Sequence, residues 1–181
     1  TNPPTSTEGP GSPESASGNE AAAILNGLYT TLPVANGVKE VATADELTDA
    51  LADSSISIIT LKDDVEISST LTVNRTVTLD LNGNVLKMTG SDSVIKVEAD
   101  GDLTIADSTP NKVHKFNPNY TDMWGCGLWK LDKDTGTEIV SGGVITGGGG
   151  DFAHSDGGGV LVNVGGKLTM TGGSIVGCSA G

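Results

Sequence analysis

The segment from Gly157 to Gly181 places the tightest constraint on the fold. It reads GGGVLVNVGGKLTMTGGSIVGCSAG, so that short apolar runs alternate with pairs of glycine. These runs are too short for helices, and paired glycines are typical of turns that need a positive φ or a close approach of two backbones. Strands this short are stable only when similar strands of neighbouring coils stack on them. The pattern therefore predicts a stacked, repetitive β structure.

Related phrases further upstream extend this pattern over most of the chain. Val77-Thr-Leu, Leu103-Thr-Ile and Leu168-Thr-Met share an apolar-Thr-apolar core, and the first two lie 26 residues apart. Ser141-Gly-Gly-Val-Ile resembles Thr171-Gly-Gly-Ser-Ile in the same way, at a spacing of 30 residues. Periods of this size are typical of solenoids in which each repeat is one coil. We therefore expect an all-β fold built from stacked coils.

One short helix is expected near the start of the stack. Val38–Val41 has the character of a first strand, and Thr43 followed by Glu46 forms a capping box. Apolar residues at helical spacing then continue to Ala52, which predicts an amphipathic helix over residues 43–52. We expect this helix to cover the open end of the stacked sheets.

Composition divides the chain into three parts. Residues 1–19 are rich in Pro, Ser, Thr, Gly and Glu, which is typical of a flexible linker, and residues 20–37 form a lead-in segment. The β domain is expected over 38–181, with a loop insertion at about 108–138 that holds four of the six aromatic residues. Because the glycine pattern stops without a cap, we expect further coils beyond residue 181 and end-to-end self-association through the open end.

The acidic balance limits the partners. The formal net charge is −13, which repels a phosphate backbone or an anionic membrane surface and so argues against nucleic acid. No apolar run approaches the ~20 residues of a membrane span, so no membrane insertion is expected. The two cysteines, Cys126 and Cys178, are too few for a disulfide framework, and the sequence leaves open whether they pair.

The aromatic residues of the insertion are the candidate ligand-binding residues: Phe116, Tyr120, Trp124 and Trp129. Aromatic faces give a large contact area at low entropic cost, so they suit a platform for sugar rings or for a protein surface. The alternative is that they pack the insertion against the solenoid wall. Both interpretations remain open at the level of sequence.

A second polar cluster, Asp151, His154 and Asp156, could in principle bind a metal or perform acid–base chemistry. A polar turn explains it better, because Asp, Ser and Gly are ordinary turn residues. We therefore predict no catalytic residue, no metal site and no cofactor. Four further aspartates are interpreted as turn formers: Asp92, Asp100, Asp102 and Asp107.

The stretch from Val38 to Asn84, which ends in the phrase TVTLDLNGN, resembles the N-terminal cap and first coils of right-handed parallel β-helix (pectin-lyase-like) domains. The Gly-Gly segments resemble coils of large repetitive surface proteins of Gram-positive bacteria. The resemblance implies a right-handed single-stranded parallel β-helix with a short N-terminal capping helix. It also implies an extracellular protein, secreted or attached to the cell wall and adhesin-like.

Enzymes share this fold, so a catalytic alternative must be weighed. Lyases of the resembling family use an arginine base beside carboxylate-bound calcium, whereas the single arginine of this chain, Arg75, lies in a predicted turn. We therefore expect a non-enzymatic module that adheres to a glycan or a host protein through the insertion. The alternatives are a polysaccharide lyase or glycoside hydrolase, and a structural stalk or spacer without a ligand.

Overall fold

The computed structural model describes residues 37–121, 127–149 and 157–179. The predicted linker over 1–19 and nearly all of the lead-in segment lie outside these residues. The described part is rich in β structure and holds one helix, so the predicted all-β class with a short helix is confirmed. Within it, no helix is long and apolar enough to cross a bilayer.

The helix and strands follow in chain order. The first half comprises β1 (Gly37–Val41), α1 (Ala44–Ala52), β2 (Ile56–Leu61), β3 (Val65–Ile67), β4 (Leu71–Val73), β5 (Thr76–Asp80), β6 (Val85–Met88), β7 (Ile95–Val97) and β8 (Asp102–Ala106). The second half comprises β9 (Val113–Thr121), β10 (Gly127–Leu131), β11 (Glu138–Ser141), β12 (Val144–Thr146), β13 (Val160–Val162), β14 (Lys167–Met170) and β15 (Ser174–Ile175).

Three parallel sheets are built from strands that are distant in sequence. Sheet 1 has the order β1-β2-β5-β8-β14, sheet 2 the order β15-β12-β6-β3, and sheet 3 the order β13-β7-β4. Strands β2, β3 and β4 lie in sheets 1, 2 and 3 in turn, and β5, β6 and β7 repeat that rotation. After β8, three antiparallel strands interrupt the rotation before β12 resumes it. Each short strand therefore finds its partners one pass earlier or later in the chain.

The sequence echoes correspond to paired strands. Val77 is the register partner of Leu103, and Leu103 is the partner of Leu168. Val144 pairs in the same way with Ser174, which aligns the two Gly-Gly phrases. In each phrase one glycine has a positive φ, +83° at Gly142 and +77° at Gly173, so the prediction of glycine turns is confirmed there.

The core consists of aliphatic side chains that alternate inward along the parallel strands. Val77 and Leu79 of β5 and Leu103 and Ile105 of β8 are all buried. Burying each such side chain contributes about 1.5–3 kcal/mol, so stacked aliphatic layers can hold thin coils together. The main core cluster contains no aromatic ring among the described residues.

Helix α1 begins at the predicted cap. The Thr43 side chain accepts a hydrogen bond of 3.2 Å from the Glu46 amide, and Glu46 Oε2 accepts one of 2.8 Å from the Ala42 amide. These bonds satisfy amides that the first helical turn leaves without partners. The buried face of the helix, Leu47, Ala50 and Leu51, joins the main core cluster. The helix thus covers apolar surface next to strands β1 to β4.

Arg75 ties the end of this helix to the first coil. Its Nε donates to Leu51 O at 2.9 Å and its Nη2 to Ala50 O at 2.9 Å, while Nη1 donates to Ile56 O at 2.5 Å. The last carbonyls of a helix have no partner within the helix, and a cation near them is favourable. The guanidinium of Arg75, the only arginine of the chain, therefore serves to connect the helix to the first coil through hydrogen bonds.

The stretch predicted as an insertion contains regular structure. Strand β9 lies at the centre of a three-stranded antiparallel sheet, here called the insertion sheet, with β10 and β11 on either side. Strand β10 carries an irregularity between Leu128 and Lys130. No clean period marks this stretch in the sequence, because polar residues and Pro118 interrupt the apolar alternation. Outside the insertion, Asp102 is not a turn residue as the sequence suggested, because it is the first residue of β8.

Replacing Arg75 by alanine should remove the tie between α1 and the first coil. We expect Arg75→Ala to lower the free energy of unfolding by about 2 kcal/mol, because the carbonyls of Ala50, Leu51 and Ile56 lose a charged donor. Arg75→Lys should recover only part of this loss, since an ammonium lacks the planar fork. Urea unfolding monitored by circular dichroism measures both changes.

Lys39→Ala, at an exposed position on β1, is the control and should shift the free energy of unfolding by less than about 0.5 kcal/mol. A similarly small change in Arg75→Ala would contradict the assigned function of Arg75.

Candidate functional site

The carboxylate of Asp107 forms hydrogen bonds at the point where the chain leaves the parallel sheets and returns to them. Asp107 follows β8, and its Oδ1 accepts a hydrogen bond of 2.7 Å from the Gly83 amide of the preceding coil. Its Oδ2 accepts one of 2.8 Å from the Gly143 amide, immediately before β12. Charge-assisted bonds of this kind are stronger than neutral ones. Asp107 thus fixes both ends of the insertion to the preceding corner.

Glycine is required beside this carboxylate. A Cβ placed on Gly142 would lie 2.3 Å from Asp107 Oδ2, and the positive φ of Gly142 also disfavours any other residue. A Cβ on Gly143 would lie 2.2 Å from the Leu81 side chain. The Gly-Gly pair therefore allows the returning chain to approach the preceding coil closely.

The insertion sheet packs on the outer face of sheet 2. Phe116 is fully buried there with Val85 of β6 and Val144 of β12, and forms an apolar cluster separate from the main core. Three half-buried residues complete the cluster: Leu131 and Val140 of the insertion sheet, and Val176 just after β15. Phe116 thus anchors the insertion, in agreement with the packing interpretation for this one residue.

A buried histidine adds a polar tie between the same two layers. His114 of β9 is buried, and its Nε2 lies 2.9 Å from the carbonyl oxygen of Gly83. A ring protonated at Nε2 donates this hydrogen bond, which satisfies a buried polar group. Gly83 therefore makes two of these contacts: its amide donates to Asp107, just before the insertion, and its carbonyl oxygen contacts His114 within it.

Charges reinforce the contact at the edge of sheet 2. Lys133 and Lys112 of the insertion place their ammonium groups 3.3 Å and 3.9 Å from the carboxylate of Asp64, and Lys112 also donates to Asn84 Oδ1. Partial burial would raise the pKa of Asp64. The Val85 amide, at 2.9 Å, and the two lysines outweigh burial and hold that pKa below its ordinary value of 3.8. These contacts therefore favour the ionised form of Asp64 in the folded chain.

The candidate aromatic residues divide into an anchor and an exposed pair. The Phe116 ring lies 6.5 Å from the ring of Trp129, with an interplanar angle of 40°. Trp129 is 38% exposed and Tyr120 is 40% exposed, which is high for large rings. Trp124 lies outside the described residues. The structure thus brings Tyr120 and Trp129 to the surface beside the buried Phe116.

The exposed pair borders a cleft between the insertion sheet and the ends of sheet 2. The cleft has a volume of about 510 Å³. Tyr120, Trp129 and Lys130 line one side, and Lys87 and the glycine run 147–149 line the other. Concave sites of this size, with aromatic walls and a few polar groups, are typical of ligand-binding sites.

Strand β10 lies directly over Gly177, which follows the end of β15. A Cβ on Gly177 would lie 2.1 Å from the backbone oxygen of Trp129, and Gly177 has a φ of +68°. Any side chain there would push β10 outward and widen the cleft. The position of Trp129 therefore depends on a glycine that the sequence pattern presents only as a turn former.

Sequence reasoning missed the two lysines and the glycine run of the cleft. Lys130 places its Nζ 5.0 Å from the centroid of the Tyr120 ring, at the distance of a cation–π contact. Lys87 lies on β6, far from the insertion in sequence, and only the fold brings it to the cleft that Tyr120 and Trp129 border. The clustering of lysines and aromatic residues in the insertion was the one available signal for this site.

The second polar cluster, Asp151, His154 and Asp156, lies outside the described residues and stays a prediction. In the part of the chain that the structure describes, no group of three or more His, Cys, Asp or Glu side chains converges on one point. Cys178 is half-buried, and burial raises the pKa of its thiol. Its pairing with Cys126, another residue outside the described ranges, is not tested.

The described residues thus combine stacked parallel sheets with an aromatic-lined cleft. The family whose model matches the chain is described as "Putative pectate lyase-like adhesive domain", and the match covers residues 38–133. The chain belongs to this family, so the predicted likeness to pectin-lyase-like domains and to adhesins is confirmed at that level. The matched region extends from β1 through β10. Searches of curated proteins and of solved structures found no match.

Replacing Asp64 tests the electrostatic contact between the insertion and sheet 2. Because the pKa of Asp64 is lowered by folding, the ionised carboxylate stabilises the fold above its unfolded pKa, near 3.8, and this contribution is lost as the pH falls through the lower folded value. We expect Asp64→Asn to cost roughly 1 kcal/mol at pH 6. Chemical unfolding from pH 6 to pH 2 should show the difference from the parent chain shrinking below about pH 4. Asp63→Asn, at an exposed neighbour, is the control, and a difference independent of pH would exclude the ion pairs as its cause.

Proposed function

We propose that the described residues form a right-handed single-stranded parallel β-helix, with α1 as its N-terminal cap. Support comes from the order in which successive strands join the sheets, first sheet 1, then sheet 2, then sheet 3. The strands within each of these sheets also pair in parallel. Right-handed crossovers are the rule for parallel strands joined within one sheet. In this arrangement the coils form a rod, and the insertion sheet lies on its side as a second layer.

The proposed function is adhesion: a non-enzymatic, extracellular module of a Gram-positive surface protein that binds a glycan or a host protein. The observation that carries it is the exposure of Tyr120 and Trp129 beside the cleft. Two large, partly exposed rings at the border of one cleft offer apolar contact area to a ligand, whereas the main core of the described residues is aliphatic. Trp124, on the same insertion, is proposed as a further contact.

Rigidity of the site supports this proposal. Asp107, His114 and Phe116 tie the insertion to sheet 2 by a charged contact, a neutral hydrogen bond and apolar packing. A platform fixed before binding avoids the entropic cost of ordering loops around the ligand. The proposal includes end-to-end association, because β13, β14 and β15 lie at sheet edges within the described residues.

The enzymatic alternative has less support. A lyase of the resembling type would need an arginine base, and Arg75 donates to the carbonyls of Ala50, Leu51 and Ile56 next to the helix. Those bonds place its guanidinium at α1, on elements distinct from those that line the cleft. We therefore favour binding without catalysis, with a spacer lacking any ligand as the remaining competitor.

Replacing Trp129 by alanine tests the adhesive function. We expect Trp129→Ala to weaken binding to a glycan array or to immobilised host extracellular proteins at least tenfold, since aromatic anchors commonly contribute 2 kcal/mol or more. Val113→Ala is the matched control, because Val113 is exposed on β9 and does not line the cleft. Circular dichroism and thermal melting establish that both variants fold.

The remaining outcomes distinguish the competing functions. Release of products from a polysaccharide panel would favour the enzyme over the adhesin. Absence of binding and of catalysis in the parent chain would favour the spacer. Equal binding by Trp129→Ala and the parent chain would place the binding surface elsewhere and refute the proposed site.

A further inference from the structure

The cleft differs in charge from the rest of the molecule. The chain has 23 acidic and 10 basic residues. Among the described residues that line the cleft, however, the charged side chains are two lysines, Lys87 and Lys130, and none is acidic. The described part of the cleft therefore presents positive charge to a ligand, on a protein whose net charge is negative.

Lys130 is held in position for direct contact. Its ammonium lies 5.0 Å from the Tyr120 ring centroid, and the ring accepts the cation without neutralising it. Within the described residues, no ion pair joins Lys130 to a carboxylate. Lys87 differs, because its Nζ lies 2.7 Å from Glu66 Oε1. Of the two lysines in the described lining, Lys130 is thus the one whose charge is not paired with a carboxylate there.

The floor of the cleft exposes backbone rather than side chains. A Cβ on Gly148 would lie 1.7 Å from the oxygen of Gly158, and one on Gly147 would lie 2.4 Å from the oxygen of Met88. Side chains are therefore excluded from this surface. Thr89, Thr146 and Ser179 also line it, with the Thr89 hydroxyl donating to Ile67 O and Thr146 almost fully buried. Backbone groups beside an aromatic face suit a ligand that is itself rich in hydroxyl groups.

We infer that the ligand of the cleft is an acidic saccharide, and that Lys130 recognises its acidic group by direct contact. One sugar ring packs against Trp129, its carboxylate or sulfate accepts a hydrogen bond from Lys130 Nζ, and its hydroxyls contact the glycine floor. This inference rests on the proposed function and names the ligand class for the same site. Because the overall charge of −13 disfavours anions, a preference for an acidic ligand would have to come from local contacts.

The test compares saccharides that differ only in their acidic group. The probes are sialyllactose against its carboxyl methyl ester, a glucuronate-containing polysaccharide against its carboxyl-reduced form, and dextran sulfate against dextran. We expect the parent chain to bind at least one acidic member about tenfold or more tightly than its neutral partner, the effect of one charge-assisted hydrogen bond. The pair that shows this difference identifies the acidic group as sialate, uronate or sulfate. Binding should be unchanged by EDTA, because the contact needs no bridging metal.

Variants assign the preference to a residue. Lys130→Gln should abolish the acidic preference while retaining weaker binding of the neutral partner. Lys115→Gln is the matched control, since Lys115 is exposed on the neighbouring strand β9 and does not line the cleft. Equal binding of acidic and neutral partners, an unchanged preference in Lys130→Gln, or loss of binding in EDTA would overturn the inference.

Failure of the inference differs from failure of the proposed function. If the chain binds neutral saccharides or proteins in a manner that depends on Trp129, the adhesive function stands and the acidic ligand is refuted. If Trp129→Ala leaves binding of every ligand intact, the cleft is not the binding site and both are refuted.

Discussion

The carboxylate of Asp107 is the interaction on which the arrangement of this domain depends. Stacked coils tolerate an insertion only when the chain leaves and returns at one corner, because each short strand must still pair with the preceding and following coil. Asp107 meets this requirement by accepting hydrogen bonds from Gly83 of the preceding coil and Gly143 of the returning chain. The glycines beside it provide the space for that approach. Strands β12 and β14 can therefore continue sheets 2 and 1 in register.

Fixing the insertion at its base also positions the candidate site. Once Asp107 holds both ends, β9 lies across sheet 2 and buries Phe116 against Val85 and Val144. Trp129 and Tyr120 then border a cleft whose floor is part of the stacked coils. The site thus consists of two layers, one from the repeat and one from the insertion. Such a division suits an adhesive family on a pectate lyase-like scaffold, because the insertion can vary in sequence while the coils keep their register.

The sequence predicted the repeat well because inward aliphatic residues recur. Val77, Leu103 and Leu168 occupy equivalent positions, and their pairing follows from the apolar-Thr-apolar phrase. The insertion sheet could not be predicted in this way, since Phe116 shares its buried face with His114, which breaks the apolar alternation. Asp107 was indistinguishable from other turn aspartates, because its partners lie in two distant segments. Lys130 was missed as a site residue since a cation–π contact with Tyr120 depends on the pairing of β10 with β9.

Amide hydrogen exchange measured by NMR tests most directly whether the insertion is a fixed part of the wall. The Gly83 and Gly143 amides donate to Asp107, so we predict that they exchange only through openings close in free energy to global unfolding. The Leu79 amide, in the centre of sheet 1, supplies the reference. Exchange of Gly83 and Gly143 at the rate of exposed turns, while Leu79 stays protected, would show that the insertion opens independently and would contradict a preformed cleft.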